Sequence, residues 1–286
     1  MDSHIKASLS EHYNISITKC KPISGGDISS AYVIETTGKK LFCKLNDAKE
    51  GLSIFKAETL GLRKIAETQT IKTPEVYGYG KFGNTSHLLM EYVPTKSPSD
   101  KDFELLGTQL ALLHQNTDTA FGFVEDDYIG YLRQQNHQHK DWTHFYIQER
   151  LQPQFRLAID KGLLTFKDIP KEKDLLDLCT EVFLDVSPSL LHGDLWSGNY
   201  LISANSEPYL IDPAVYYGHS YVDIAMTKLF GGFSTSFYEA YHSHIPEPDH
   251  KKELISLYQL YYLLAHLNMF GASYRPSVKN ILKMLS

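Results

Sequence analysis

The feature that most constrains the fold is a single change of hydrophobic period near residue 93. Before it, apolar residues come in short runs separated by glycine-bearing turns. From Asp102 onward they recur at the three-to-four spacing of a helix face. The runs ITKCKPI, SAYVIET and LFCKL predict an antiparallel meander. Helical spacing follows over residues 52–66, and PEVYGYG and SHLLMEYV supply two more strands. The segment PTKSPS then breaks both periods with two prolines and two serines. A chain of 286 residues is too long for one small core. The predicted organisation is therefore two lobes, 1–93 and 94–286.

In the second part, Phe103, Leu106, Leu110 and Leu113 share one helix face. Further helices are predicted over residues 143–164 and 173–186. The stretch ELISLYQLYYLLAHLNMFG is apolar almost all round, which predicts a buried helix with Gly271 at its C-cap. The expected class is α+β: a small antiparallel sheet lobe with one helix, a short hinge and a larger helical lobe. A cleft between lobes is a common ligand site.

One segment interrupts the helices. LLHGDLWSGNYLI brackets His192, Asp194, Asn199 and two glycines between apolar anchors, and EPYLIDPA follows. YLI and PYLI read as two short strands around a turn, with Asp212 directly after the second. Asp194, Asn199 and Asp212 would then lie at one edge of a hairpin. Two carboxylates and an amide oxygen suit a hard cation such as Mg2+ and the transfer of a phosphoryl group. In that chemistry one Asp orients or deprotonates a hydroxyl, while the Asn and the other Asp hold the metal.

Glu58 falls inside the apolar stripe Phe55, Leu62, Ile65. A carboxylate there needs a cation, and Lys44, on the strand face opposite Leu41, Cys43 and Leu45, is the candidate. The alternative places Glu58 at the stripe's edge, facing water. The turn SGGDIS holds Gly25, Gly26, Asp27 and Ile28, whose N–H groups could face phosphates; read alone it fits a plain hairpin turn better. Trp196 is either core or a wall for a sugar. His266 and Asn268, on the buried helix, are either satisfied core groups or substrate contacts, the former favoured. His137, His139 and His144 lack zinc spacing and read as a solvated loop or helix start. Asp223 reads as a group that bonds loop backbone.

The net charge of −6 argues against a nucleic-acid surface. No run is long enough to span a bilayer, and the first residues lack the apolar core of a signal peptide. Three cysteines, odd in number and widely spaced, suit a reducing cytoplasm.

HGDLWSGN, YLIDPAVYYG and VDIAMTKLFGGF together resemble the fructosamine kinase (ketosamine 3-kinase) family, of the aminoglycoside-phosphotransferase branch of protein-kinase-like folds. SGGDIS, FKAETLGL, LLMEYV and LGTQLALLH resemble family segments in the same order. The resemblance implies that Asp194 is the catalytic base and that Asn199 and Asp212 bind Mg2+. It implies that Lys44, paired with Glu58, holds the phosphates of ATP. Glu91, Tyr92 and Val93 would be the hinge contacting adenine through backbone groups, and Trp196 would lie near the sugar. The implied reaction moves the γ-phosphoryl group of ATP to the 3-hydroxyl of a free or protein-bound ketosamine, which promotes deglycation. A kinase for an aminoglycoside, choline or thiosugar, and a nucleotide-binding pseudokinase, are the alternatives. The chain departs from relatives at His219 and Tyr221, where they carry acids, and in FVEDDYIGYLRQQNHQHKDW.

Overall fold

The computed structural model describes residues 1–23 and 29–285. Gly25, Gly26, Asp27 and Ile28 lie outside the described residues. The N-terminal part opens with helix α1 (Ser3–His12), capped where the Asp2 carboxylate accepts the Ile5 N–H at 2.8 Å. Strands β1 (Ile17–Ile23), β2 (Ser30–Thr36) and β3 (Lys40–Asn46) precede helix α2 (Gly51–Glu67). Strands β4 (Val76–Phe82) and β5 (Thr85–Glu91) complete an antiparallel sheet in the order β1-β2-β3-β5-β4.

The alternation of side chains on β3 decides what each sheet face meets. Leu41, Cys43 and Leu45 join Ile34 and Leu89 under Ile5 and Leu9 of α1. Phe42 packs on the other face, in the cluster of Leu88, Met90, Phe55 and Leu62 under α2, and Lys44 reaches Glu58 of that helix. The sequence predicts one helix for this part and the structure has two. In α1 only Ile5 and Leu9 are buried, too few apolar positions to display a period.

Residues 94–99 link the sheet to α3 (Asp100–His114). Ser99 and Asp102 form a capping box, and Lys96 reaches the same Asp102 carboxylate at 2.5 Å. Beyond α3 come the hairpin β6 (Asp127–Ile129) and β7 (Leu132–Gln134), α4 (Trp142–Phe145), α5 (Gln152–Asp160) and α6 (Glu172–Val182). Next are β8 (Ser189–Leu190), β9 (Tyr200–Ile202), β10 (Pro208–Leu210) and β11 (Tyr217–Gly218). The chain closes with α7 (Tyr221–Phe230), α8 (Thr235–His244), α9 (Lys251–Phe270) and α10 (Arg275–Met284).

The helix predicted over 143–164 is divided: residues 146–151 form a π-type turn between α4 and α5. Pro153 has no N–H to give to the Glu149 carbonyl. That carbonyl instead accepts from the buried Arg150 side chain at 3.1 Å. Helices α7, α8 and α10 are absent from the expected set, although Val278, Ile281 and Leu282 of α10 recur at helical spacing. In α7 the cause is burial on all sides, from Tyr221 through Thr227. Helix α9 is the centre of the large core, with Leu254, Leu257, Tyr258 and residues 260–265 buried. Helix α3 lies against α8 at Gly107, where a Cβ would collide with the Phe237 carbonyl.

The link between sheet and helices is not loose. The Ala204 N–H donates to the Pro94 carbonyl at 2.7 Å, and the Lys96 N–H donates to the Ile202 carbonyl at 3.0 Å. The β9–β10 hairpin is thus fastened to the linker, and Leu210 N–H also bonds Lys72 O at 2.9 Å.

Candidate active site

The loop after β8 is held from every side. Leu190, Leu191 and Leu195 are fully buried anchors. Leu191 N–H donates to Tyr216 O at 3.0 Å, and Ala214 N–H donates to His192 O at 2.9 Å. The carboxylate of Asp223, on α7, accepts the N–H groups of His192 (2.7 Å) and Gly193 (2.9 Å) and meets His114 Nε2 at 3.1 Å. His114 in turn meets the Tyr241 hydroxyl at 2.8 Å. From α9, the Tyr262 hydroxyl donates to the Gly193 carbonyl at 2.7 Å. Gly193 has φ +85°, and a Cβ there would collide with the Ala214 carbonyl, so only glycine fits. These contacts fix the polar loop and, with it, the position of Asp194.

Asn199 is buried and donates its amide to Asp194 twice, to the backbone carbonyl at 2.8 Å and to Oδ2 at 3.2 Å. That commits the amide nitrogen and leaves the amide oxygen as an acceptor. Asp194 itself is pushed up to about 8, first by burial and then by the charges of Asp212 and Asp223, with Asn199 opposing. Asp212 follows the β9–β10 hairpin with φ +54°, in the left-handed region that Asp tolerates better than most residues. The Ile211 N–H bonds the Asn199 carbonyl at 3.0 Å, so the two segments are adjacent.

Lys44 meets Glu58 at 2.8 Å and also bonds the Asp212 carboxylate. One ammonium thus serves two carboxylates. Burial alone would lower Lys44, but the two acids outweigh it and raise it. The deeper acid, Glu58, is raised by its burial against the pull of Lys44. Asp212, which burial would raise, is instead held below its ordinary value by Lys44. Glu58 therefore faces Lys44 rather than water.

Glu91 ends β5 and Val93 is buried just beyond it. Glu91 and Glu75 bond each other twice: Glu91 N–H donates to Glu75 O at 2.8 Å, and Glu75 N–H donates to the Glu91 carboxylate at 3.2 Å. The Tyr92 ring lies 5.8 Å from the Lys40 ammonium.

Trp196 is not core: it is 38% exposed, and its ring meets Phe230 edge-on. His266 lies on the same side, 5.0 Å from Phe230, with Nδ1 at 2.8 Å from Tyr262 O. Asn268 is placed differently. It is buried and gives its amide to Gln154 O and Oε1 at 3.0 and 2.8 Å, which fastens α9 to α5. That is the core reading of this residue. His219 also faces inward, its Nδ1 2.6 Å from the Tyr258 hydroxyl, and burial lowers it to about 3. Tyr221 is buried beside it. His137 and His139 both pair with Glu149, at 3.1 and 2.9 Å, and His144 pairs with Asp141. No local sequence signal marks Tyr262 or His114, which hold the loop from α9 and α3. A lone carboxylate on the apolar run YVDIAM was the available signal for the Asp223 network.

Among the described residues no group of three or more His, Cys, Asp or Glu side chains could hold a metal ion. Nor is any helix among them long and apolar enough to cross a membrane.

The whole chain, residues 1–286, matches the family described as fructosamine kinase. It is 40% identical to a probable ketoamine kinase of Vibrio parahaemolyticus, over 92% of this chain and 90% of that one. It is 35% identical to the ketosamine-3-kinase of Mus musculus, over 92% and 93% of the two chains. The crystal structure of a Thermobifida fusca protein assigned to the fructosamine-3-kinases superposes with a TM-score of 0.88 at 31% identity, covering 100% of this chain and 99% of that one. A crystal structure of an aminoglycoside phosphotransferase shares the fold at TM-score 0.66, with 16% identity over 99% of each chain. The fold is thus the bilobal kinase-like one, and the chain belongs to the fructosamine kinase family, whose members are phosphotransferases acting on a hydroxyl.

Proposed function

We propose that the protein transfers the γ-phosphoryl group of ATP to the 3-hydroxyl of a ketosamine, free or carried on a protein lysine, and so promotes release of the amine. The observation that carries this reading is the convergence of Lys44, Glu58, Asp194, Asn199 and Asp212, drawn from distant parts of the chain. A protein that only bound nucleotide would have no use for Asp194 in that set. The lobes divide at the hinge, as 1–93 and 94–286, with Glu91, Tyr92 and Val93 offering backbone groups to adenine. The three free cysteines, Cys20, Cys43 and Cys179, support a cytoplasmic setting.

Asp194 accepts the proton of the acceptor hydroxyl as its oxygen attacks the γ-phosphorus; the bond from that phosphorus to the β-bridging oxygen breaks and ADP leaves. Burial makes the Asp194 carboxylate a stronger base than an exposed one. Lys44 stays charged and orients the phosphates, and Glu58 orients Lys44. The Asn199 amide oxygen and the half-exposed Asp212 carboxylate fit Mg2+, which takes one or two protein oxygens and fills its remaining positions with phosphate and water. When bound, Mg2+ neutralises charge on the phosphates.

ATP consumption and product structure with a panel of ribulosamines, fructosamines, glycated protein, aminoglycosides and choline test the reading. The expected product is the O3 phosphoester of a ketosamine. Phosphorylation of another class with none of the ketosamines overturns it. For the nucleotide side, Glu58→Gln is expected to raise KM for ATP about tenfold, the scale of one charge-assisted hydrogen bond. An unchanged KM would remove Glu58 from the phosphate-binding set.

A further inference from the structure

Trp196 and His266 belong to a larger array of rings. Phe230 lies 6.4 Å from Trp196 and 5.0 Å from His266, and His266 lies 5.5 Å from Phe270 and 5.2 Å from Tyr274. The array is exposed where it meets solvent: Phe230 is 42% and Phe270 44% exposed. Phe230 ends α7 and Phe270 ends α9, and each ring lies against His266. The tip of the β6–β7 hairpin leans on this surface, where the Tyr131 hydroxyl donates to Met269 O at 3.1 Å. Solvent-exposed rings in contact with one another keep apolar area in water, and such patches mark binding surfaces. This one starts two residues from Asp194.

We infer that Phe230 and Phe270 form the wall on which the amine-borne substituent of the acceptor packs, and that they give the enzyme a preference for apolar and aromatic amines. The inference rests on the ketosamine reading. With O3 at Asp194 and the sugar against Trp196, the substituent on the amine continues along the array. A surface open on one side covers a substituent without enclosing it, so selectivity is graded by apolar area rather than set by a size limit.

Calorimetric binding of fructosamines that differ only in the amine substituent (methyl, butyl, benzyl) tests this on wild type, Phe230→Ala, Phe270→Ala and the bulk-conserving Phe230→Leu and Phe270→Leu. One ring face covers roughly 50–60 Å2 more of a benzyl than of a methyl group, which corresponds to about tenfold in affinity. Wild type is expected to show that ratio. The alanine variants should bring it toward one, and the leucine variants should keep part of it. Equal binding across the series in wild type, or an unchanged ratio in both alanine variants and both leucine variants, overturns the wall. If no member binds while another acceptor class is phosphorylated, the ketosamine reading falls and takes the wall with it.

Discussion

Asp194→Asn should lower kcat for phosphoryl transfer about 10³-fold while the affinity for ATP stays within about threefold of wild type. A loss of that size is about 4 kcal/mol of barrier. The substitution keeps the shape of the side chain and an oxygen for the Asn199 amide, which now sits 3.2 Å from Oδ2. It removes the capacity to take a proton, together with the carboxylate's charge. Neither Lys44 nor Asp212 bonds Asp194, so the groups proposed to hold phosphates and metal keep their own network. Single-turnover phosphoryl transfer, measured beside equilibrium ATP binding, separates the two effects. Turnover close to wild type would remove the base assignment. A parallel loss of ATP binding would instead show that Asp194 shapes the nucleotide site.

The sheet was legible because its pattern is local. β1 and β2 coincide with ITKCKPI and SAYVIET, and α2 differs from the predicted 52–66 by one residue at each end. The alternation on β3 was enough to set Lys44 opposite Cys43, and the stripe on α2 was enough to set Glu58 toward a cation. What stayed hidden was of another kind. Helix α7 is buried on all sides, so it has no polar face to mark its period. Lys44 reaching Asp212 across 168 positions of sequence has no local signature at all. The exposed rings of Phe230 and Phe270 looked like ordinary ends of apolar helices, and only their proximity to Trp196 and His266 gives them meaning. Asn268 carries the reverse lesson. Two positions along the helix from His266 turns a side chain by about 200°, from the Phe230 side to the α5 side.

Asp223→Ala should cost about 3–5 kcal/mol of folding stability near neutral pH and lower kcat by more than about 100-fold. The carboxylate is fully buried and serves three donors at once: His192 N–H, Gly193 N–H and the His114 ring. Alanine leaves both N–H groups without an acceptor in the core and strands His114. Burial alone would raise Asp223; its hydrogen bonds from His114 and from the His192 backbone outweigh that and hold it below the ordinary carboxylate value. A depressed folded value means the stabilisation is complete above the unfolded value of about 4 and is lost as pH falls through the lower, folded one. Urea unfolding at pH 7 and near pH 3 should therefore show a large gap between wild type and variant that narrows in acid. Asp223→Asn keeps one acceptor oxygen and should lie between the two. Asp223 touches neither Lys44 nor Asp212, so its effect on turnover passes through the placement of residues 192–194 and through its charge on Asp194. An alanine variant of wild-type stability and full kcat would mean that the apolar anchors, Tyr262 and the backbone bonds to Tyr216 and Ala214 suffice to position the loop.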